Sequence, residues 1–292
     1  MISALGAGLG GHSSLRLLWL FGNRIGDSGL QAIAEGLADH KGLRDLSLDN
    51  NGFGDAGTQA LGDALKALPN IEELQLAKNA IGDSGAQALG AGLGGHSSLR
   101  LLWLFGNRIG DSGLQAIAEG LADHKDLRKL SLGQNGFGDA GTQALGEALK
   151  ALPNIEELAL GENAIGDSGA QALGAGIQGH SALRLLWLHE NRIGDAGLQA
   201  IAKGIADHKG LQDLTLSSNG FGDVGAEALV HGLRANNALA ELWLHENSLS
   251  DSGVEAVAAA LRDRAMQDLQ LHPQRSFWGL VSSIKDVFFR GF

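Results

Sequence analysis

Nine segments of this chain align on one another at a constant step of 28 residues, beginning at Leu15, Leu43, Ile71, Leu99, Leu127, Ile155, Leu183, Leu211 and Leu239. A period of this size marks a solenoid, because each copy is one supersecondary unit that can bury its apolar face only against the next. Two globular domains, which 292 residues would otherwise suggest at ~150 residues per domain, are thereby set aside.

Each copy opens like Leu15-Arg16-Leu17-Leu18-Trp19-Leu20-Phe21-Gly22-Asn23, passes through Gly26-Asp27-Ser28-Gly29 and ends in a run such as Leu30-Gln31-Ala32-Ile33-Ala34-Glu35-Gly36-Leu37. Alternation puts Leu18 and Leu20 on one face of a short strand, and Ile33 and Leu37 at i, i+4 give the following helix its apolar stripe. The asparagine that closes the strand recurs in all nine copies, from Asn23 to Asn247. Its amide suits backbone groups left over where the chain turns away. The aspartate four residues on, Asp27 through Asp251, stands where the N-cap of its own helix is expected. One carboxylate per repeat lacks the clustered oxygen ligands of a calcium site. Histidines such as His40, His124, His180 and His208 fall near helix C-terminal ends, where a partial positive charge complements the dipole.

The pattern LxxLxLxxNxIGDxGxxAL resembles the leucine-rich repeat, and specifically its ribonuclease-inhibitor-like subfamily; it is also similar to the repeats of NOD-like receptors and of the Ran GTPase-activating protein. The resemblance implies an α/β fold: a right-handed leucine-rich-repeat solenoid, or horseshoe, with a concave parallel β-sheet and convex α-helices. It also implies protein binding on the concave face, although the fold by itself selects no partner. The expected division is a truncated helical half-repeat at 1–14, nine repeats at 15–266, and a partial tenth strand with a hydrophobic capping helix at 267–292. In that tail Phe277, Leu280, Val281, Ile284, Val287 and Phe288 share one helical face. Trp278, Phe289 and Phe292 lie off it, which leaves open a second docking element in place of a cap.

Residues between the strand leucines point onto the concave sheet. They follow a three-repeat rhythm that places Trp19 and Phe21, Trp103 and Phe105, Trp187 and His189, and finally Trp243 and His245 among the acids Asp45, Asp49, Glu73, Glu157, Glu190, Asp213, Glu241 and Glu246. These are the candidate contacts: the aromatic groups anchor a protein or peptide, and the carboxylates steer a basic one. The alternative for each tryptophan is that it lies flat and covers the sheet. The two long internal copies, 15–98 and 99–182, differ at only 11 of 84 positions. Six of these, including Asp45/Lys129, Gln75/Ala159, Ala77/Gly161 and Lys78/Glu162, fall at outward strand positions or just before the asparagine, a concentration that suggests a varied surface on a held scaffold.

A net charge of −11 disfavours nucleic acid, which is bound by Lys and Arg displacing counterions. No apolar run is long enough to span a membrane, and the absence of cysteine suits a reducing and an oxidising compartment equally; Met1-Ile2-Ser3 begins no signal-peptide pattern and no Asn-x-Ser/Thr acceptor occurs, so a cytoplasmic address is the expectation. No nucleophile elbow, phosphate loop or zinc helix occurs, and His189-Glu190 and His245-Glu246 stand two repeats apart, too far to share one metal. A non-enzymatic binder without cofactor or metal is therefore expected. Two rivals stay open: an accessory regulator of a small GTPase, which the resemblance to the Ran activator implies, and an engineered or structural scaffold without a natural partner.

Overall fold

The computed structural model describes residues 2–10, 14–261 and 268–270; the expected C-terminal helix lies outside them. Ten three-residue strands, β1 (Leu17–Trp19), β2 (Asp45–Ser47), β3 (Glu73–Gln75), β4 (Leu101–Trp103), β5 (Lys129–Ser131), β6 (Glu157–Ala159), β7 (Leu185–Trp187), β8 (Asp213–Thr215), β9 (Glu241–Trp243) and β10 (Asp268–Gln270), pair in chain order into one parallel sheet. Ten helices alternate with them: α1 (Ile2–Leu9), α2 (Gly26–Leu37), α3 (Asp55–Leu65), α4 (Asp83–Leu93), α5 (Asp111–Gly120), α6 (Asp139–Leu149), α7 (Asp167–Ile177), α8 (Asp195–Gly204), α9 (Asp223–Gly232) and α10 (Asp251–Leu261). Leu18 pairs with Leu46, Leu46 with Leu74 and Leu74 with Leu102, so every outward column of the repeat becomes a straight row across the sheet.

A single core fills the space between sheet and helices. Leu46 from a strand, Leu48 just past its end, Phe53 from the turn and Leu61 and Leu65 from a helix are all fully enclosed in it. Each such side chain contributes about 1.5–3 kcal/mol relative to exposure, and the cluster runs unbroken from repeat to repeat.

Three polar ladders run along the solenoid, and two differ from the expectation. The asparagines do what their position suggests: Asn107 Nδ2 donates to the carbonyls of Leu104 and, one repeat back, Leu76, while its Oδ1 accepts from the Ile81 N–H. The aspartates do not cap their own helices. Asp83 Oδ1 accepts from the N–H groups of Gly110 (2.7 Å) and Gly113 (3.0 Å), at the start of the next helix, α5. The same pair of bonds recurs from Asp27 to Gly54 and Gly57 and on to Asp195 with Gly222 and Gly225. The orphan donors of one helix are thus satisfied by the repeat before it. Glycine is required here because a Cβ on Gly113 would stand 2.6 Å from Asp83 Oδ1.

His124 acts as a neutral donor, not as a cation facing a dipole. His124 Nδ1 accepts from the Leu99 N–H, which leaves Nε2 to donate to the Leu93 carbonyl at the end of the preceding helix. His40 and His208 reach back in the same way to Leu9 and Ile177. Burial holds His124, His180 and His208 below the ordinary imidazole pKa, so the charged form is disfavoured where the sequence suggested it would be useful.

Neighbouring helices meet backbone to backbone at glycine. A Cβ on Gly90 would lie 2.1 Å from the Ala116 carbonyl oxygen, and one on Gly120 would lie 2.3 Å from the Gly90 oxygen. Gly62 with Ala88, Gly146 with Ala172 and Gly174 with Ala200 continue this seam along the convex side.

Candidate functional site

The sheet gathers the candidate residues on one face but embeds them to different depths. Trp19 is 44% exposed and its indole N–H donates to Asp45 Oδ2 at 2.8 Å, while Phe21 is exposed beside it. Trp103 and Phe105 are half-buried, and the Lys78 ammonium sits 5.6 Å from the Phe105 ring centroid, within cation–π range. Trp187 is only 5% exposed and packs with Ala159 and Leu185. The His189 ring is buried over the Gly161 backbone, where a Cβ would come within 2.3 Å of it. Trp243 and His245 are half-buried with ring centroids 6.2 Å apart.

Two of the differences between the internal copies therefore have a packing cause. Ala159 in place of Gln75, and Gly161 in place of Ala77, make the room into which Trp187 and His189 settle. Trp187 and His189 present little surface to a partner, and Asp45 is buried as well.

The carboxylates lie in two rows. In the strand row, Asp45, Glu73, Glu157, Asp213 and Glu241 occupy one column, and Lys129 is the cation among them, 2.9 Å from Glu157. Burial raises the pKa of Asp45 and Glu73 above the ordinary carboxylate range, partly offset at Asp45 by the Trp19 bond. Asp213 is pushed up to about 7, chiefly by burial and further by Glu241 on the next strand, against a hydrogen bond from Trp187. Asp49 rises to about 6 through burial even though its Oδ1 accepts from the Ala77 N–H at 2.6 Å. His189 is pushed down to about 4 by burial and by His245.

The second row stands at the strand exits. The residue before each repeat asparagine takes a left-handed backbone, with φ from 50° to 74°, and it is glycine only at Gly22 and Gly106. Asn50, Lys78, Gln134, Glu162, Glu190, Ser218 and Glu246 hold this conformation without being glycine, at about 1–2 kcal/mol each. Gln134 donates to Glu162 and Ser218 to Glu246 along the row. Glu190, exposed between Glu162 and Glu246, has its pKa raised by burial and by those two charges. Sequence reasoning passed over Lys78, Lys129 and Glu162 as site residues, although all three are among the positions at which the internal copies differ. No group of three or more His, Asp or Glu side chains suited to a metal occurs among the described residues.

Between about pH 4 and pH 7, folded Asp213 keeps a proton that the unfolded chain has released, so this group lowers stability as pH rises through that window. Asp213→Asn is expected to raise the unfolding free energy by about 2 kcal/mol at pH 8, with the gain shrinking toward zero near pH 4. Urea denaturation of both proteins across this range measures it. His189 contributes the opposite slope below its unfolded pKa, but it does so in both proteins and cancels in the difference. A gain independent of pH would show that the Asp213 carboxyl is not held protonated.

A one-sheet, one-helix-layer solenoid with an asparagine at every strand exit defines a class of repeat protein. A family model for the leucine-rich repeat matches residues 11–34, 67–90, 95–118, 124–146, 151–174, 183–202 and 211–230, more than half of the sequence, and the chain belongs to that family. No curated protein sequence matches it. Among solved structures, internalin C2 of Listeria monocytogenes is similar at 20% identity and a TM-score of 0.50, over 81% of this chain and 83% of that one. Internalin F of the same organism aligns at 16% identity and a TM-score of 0.30, over 93% of this chain and 89% of the other. The likeness to internalin C2 is one of fold.

Proposed function

We propose that this chain is a non-enzymatic protein-binding solenoid that holds a basic protein or peptide on its concave face. Leucine-rich repeats generally mediate protein–protein contacts. The observation that carries the finer reading is the strand-row column of half-buried carboxylates. Glu73 and Asp213 are drawn out of water in a column whose cation is Lys129, and their pKa values are raised by burial and then by the neighbouring carboxylates of Asp45 and Glu241. A guanidinium or ammonium group laid along that column would relieve this, which favours basic partners. Phe21, Trp19, Trp103, Phe105, Trp243 and His245 supply the accessible aromatic surface around it. The same proposal includes a cytoplasmic address and the ribonuclease-inhibitor-like subfamily. The latter is supported by a full helix of 10 to 12 residues in repeats such as those of α2 and α5.

The test is affinity capture from a cell lysate with the native chain and with a variant carrying Trp19→Ser, Trp103→Ser and Trp243→Ser. Trp187 is left in place because it belongs to the packing. Capture of basic proteins by the native chain alone is the expected result. Equal capture by both folded proteins, or none by either, would sink the concave-face reading. No helix among the described residues is long and apolar enough to cross a membrane.

A further inference from the structure

The outward position that opens each strand from β2 to β10 runs across the sheet as Asp45, Glu73, Leu101, Lys129, Glu157, Leu185, Asp213, Glu241 and Asp268. Three neighbouring pairs stand in this column at three-repeat intervals: Asp45 with Glu73, Lys129 with Glu157, and Asp213 with Glu241. Leu101 and Leu185 separate them. The middle pair is neutral, with Lys129 Nζ 2.9 Å from Glu157 Oε1. Each outer pair sets two carboxylates side by side in the same place.

The outer pairs are built alike. Trp19 donates its indole N–H to Asp45 Oδ2 at 2.8 Å, and Trp187 donates to Asp213. In both aspartates Oδ1 is out of water and accepts no hydrogen bond from the described residues, and Asp45 as a whole is only 7% exposed. The glutamate paired with each is its direct register partner, close enough that Asp45 raises the pKa of Glu73 and Glu241 raises that of Asp213. A buried carboxylate oxygen without a donor is costly until a proton or a cation meets it.

We propose that Asp45 with Glu73, and Asp213 with Glu241, form two equivalent subsites, each of which takes the ammonium group of one lysine side chain from a partner polypeptide. The subsites rest on the concave-face reading above and name the group that a basic partner offers there. Lys129 shows the chemistry that suits the place, since its ammonium neutralises the equivalent glutamate from within the chain. An ammonium fits better than a guanidinium. Asp45 has one oxygen left after the Trp19 bond, whereas the guanidinium fork matches both oxygens of a carboxylate. Three N–H donors on a single nitrogen can instead bridge one oxygen from each member of the pair. The subsites lie six strands apart, about 29 Å along the sheet at ~4.8 Å per strand.

The experiment titrates fluorescein-labelled decalysine, which reaches up to about 35 Å, with the full chain and follows anisotropy; deca-arginine is the second probe. Asp45→Lys and Asp213→Lys each supply the ammonium from within, as Lys129 does, and each is expected to weaken decalysine binding at least ~10-fold without lowering the thermal midpoint. Asp213→Asn, expected above to be more stable than the native chain, should weaken binding too. Lys129→Asp, which turns the middle pair into a third subsite, should tighten it. Glu162→Lys makes the same change of charge outside the column, where another copy carries Lys78, and is expected to shift affinity by less than ~3-fold. Equal weakening by Glu162→Lys and Asp213→Lys overturns the subsites. So do aspartate variants that bind like the native chain, a Lys129→Asp chain that binds no tighter, or deca-arginine bound as well as decalysine; each of these leaves a basic partner on the concave face intact. Binding of neither peptide by the native chain overturns both readings.

Discussion

Gly90→Val is expected to lower the stability of the folded chain by more than about 4 kcal/mol, and Gly90→Ala by about 2–3 kcal/mol. On helix propensity alone the alanine variant should gain about 1 kcal/mol, so the expected loss reverses the sign of the local preference. The cause is contact. A Cβ at Gly90 lies 2.1 Å from the Ala116 carbonyl oxygen and 2.6 Å from its carbon, both backbone atoms of the next helix that no rotamer change can move. The companion substitution is Gly8→Ala in α1, where a Cβ meets nothing within 4 Å. That variant should be neutral or slightly stabilised. Chemical denaturation of the three proteins measures the contrast, and equal behaviour of Gly8→Ala and Gly90→Ala would show that the seam is not in contact.

The second large effect separates two tryptophans that share one motif. Trp187→Ala is expected to cost about 3–5 kcal/mol of stability, as for other enclosed large side chains, whereas Trp19→Ala should cost about 1 kcal/mol or less. Trp187 packs with Ala159 and Leu185, while Trp19 is 44% exposed and keeps one hydrogen bond to Asp45. Ala159→Gln, which restores the neighbour that Trp103 has, should displace Trp187 and red-shift its fluorescence. Equal losses for the two tryptophan variants would place Trp187 on the surface and return it to the set of partner contacts.

The repeat, its strand and helix halves, the direction of the leucines and the role of the asparagines were all legible in the sequence, because each depends on spacing within one copy. What escaped depends on the copy next door. Asp83 and its glycines at 110 and 113 keep the same phase in every repeat, so periodicity cannot tell a cap on the helix that Asp83 begins from a cap on the following one. The same holds for His124, whose acceptor at Leu93 lies one repeat back. Alternation correctly puts Trp19, Trp103 and Trp187 on the concave side. The depth of Trp103 and Trp187 is set 28 residues away, by Gln75 or Ala159 and by Ala77 or Gly161. The left-handed residue before each asparagine left only a faint trace, glycine in two repeats of nine.

The aspartate, asparagine and histidine ladders all satisfy one repeat with atoms of another, and this has a thermodynamic consequence. A repeat separated from its neighbours would lose its helix cap, its turn bonds and half its core together, so its intrinsic folding free energy is unfavourable and nearly all stabilisation resides in the junctions. Such an array melts as one cooperative unit, because opening any repeat breaks the caps, turn bonds and core of its neighbours with its own.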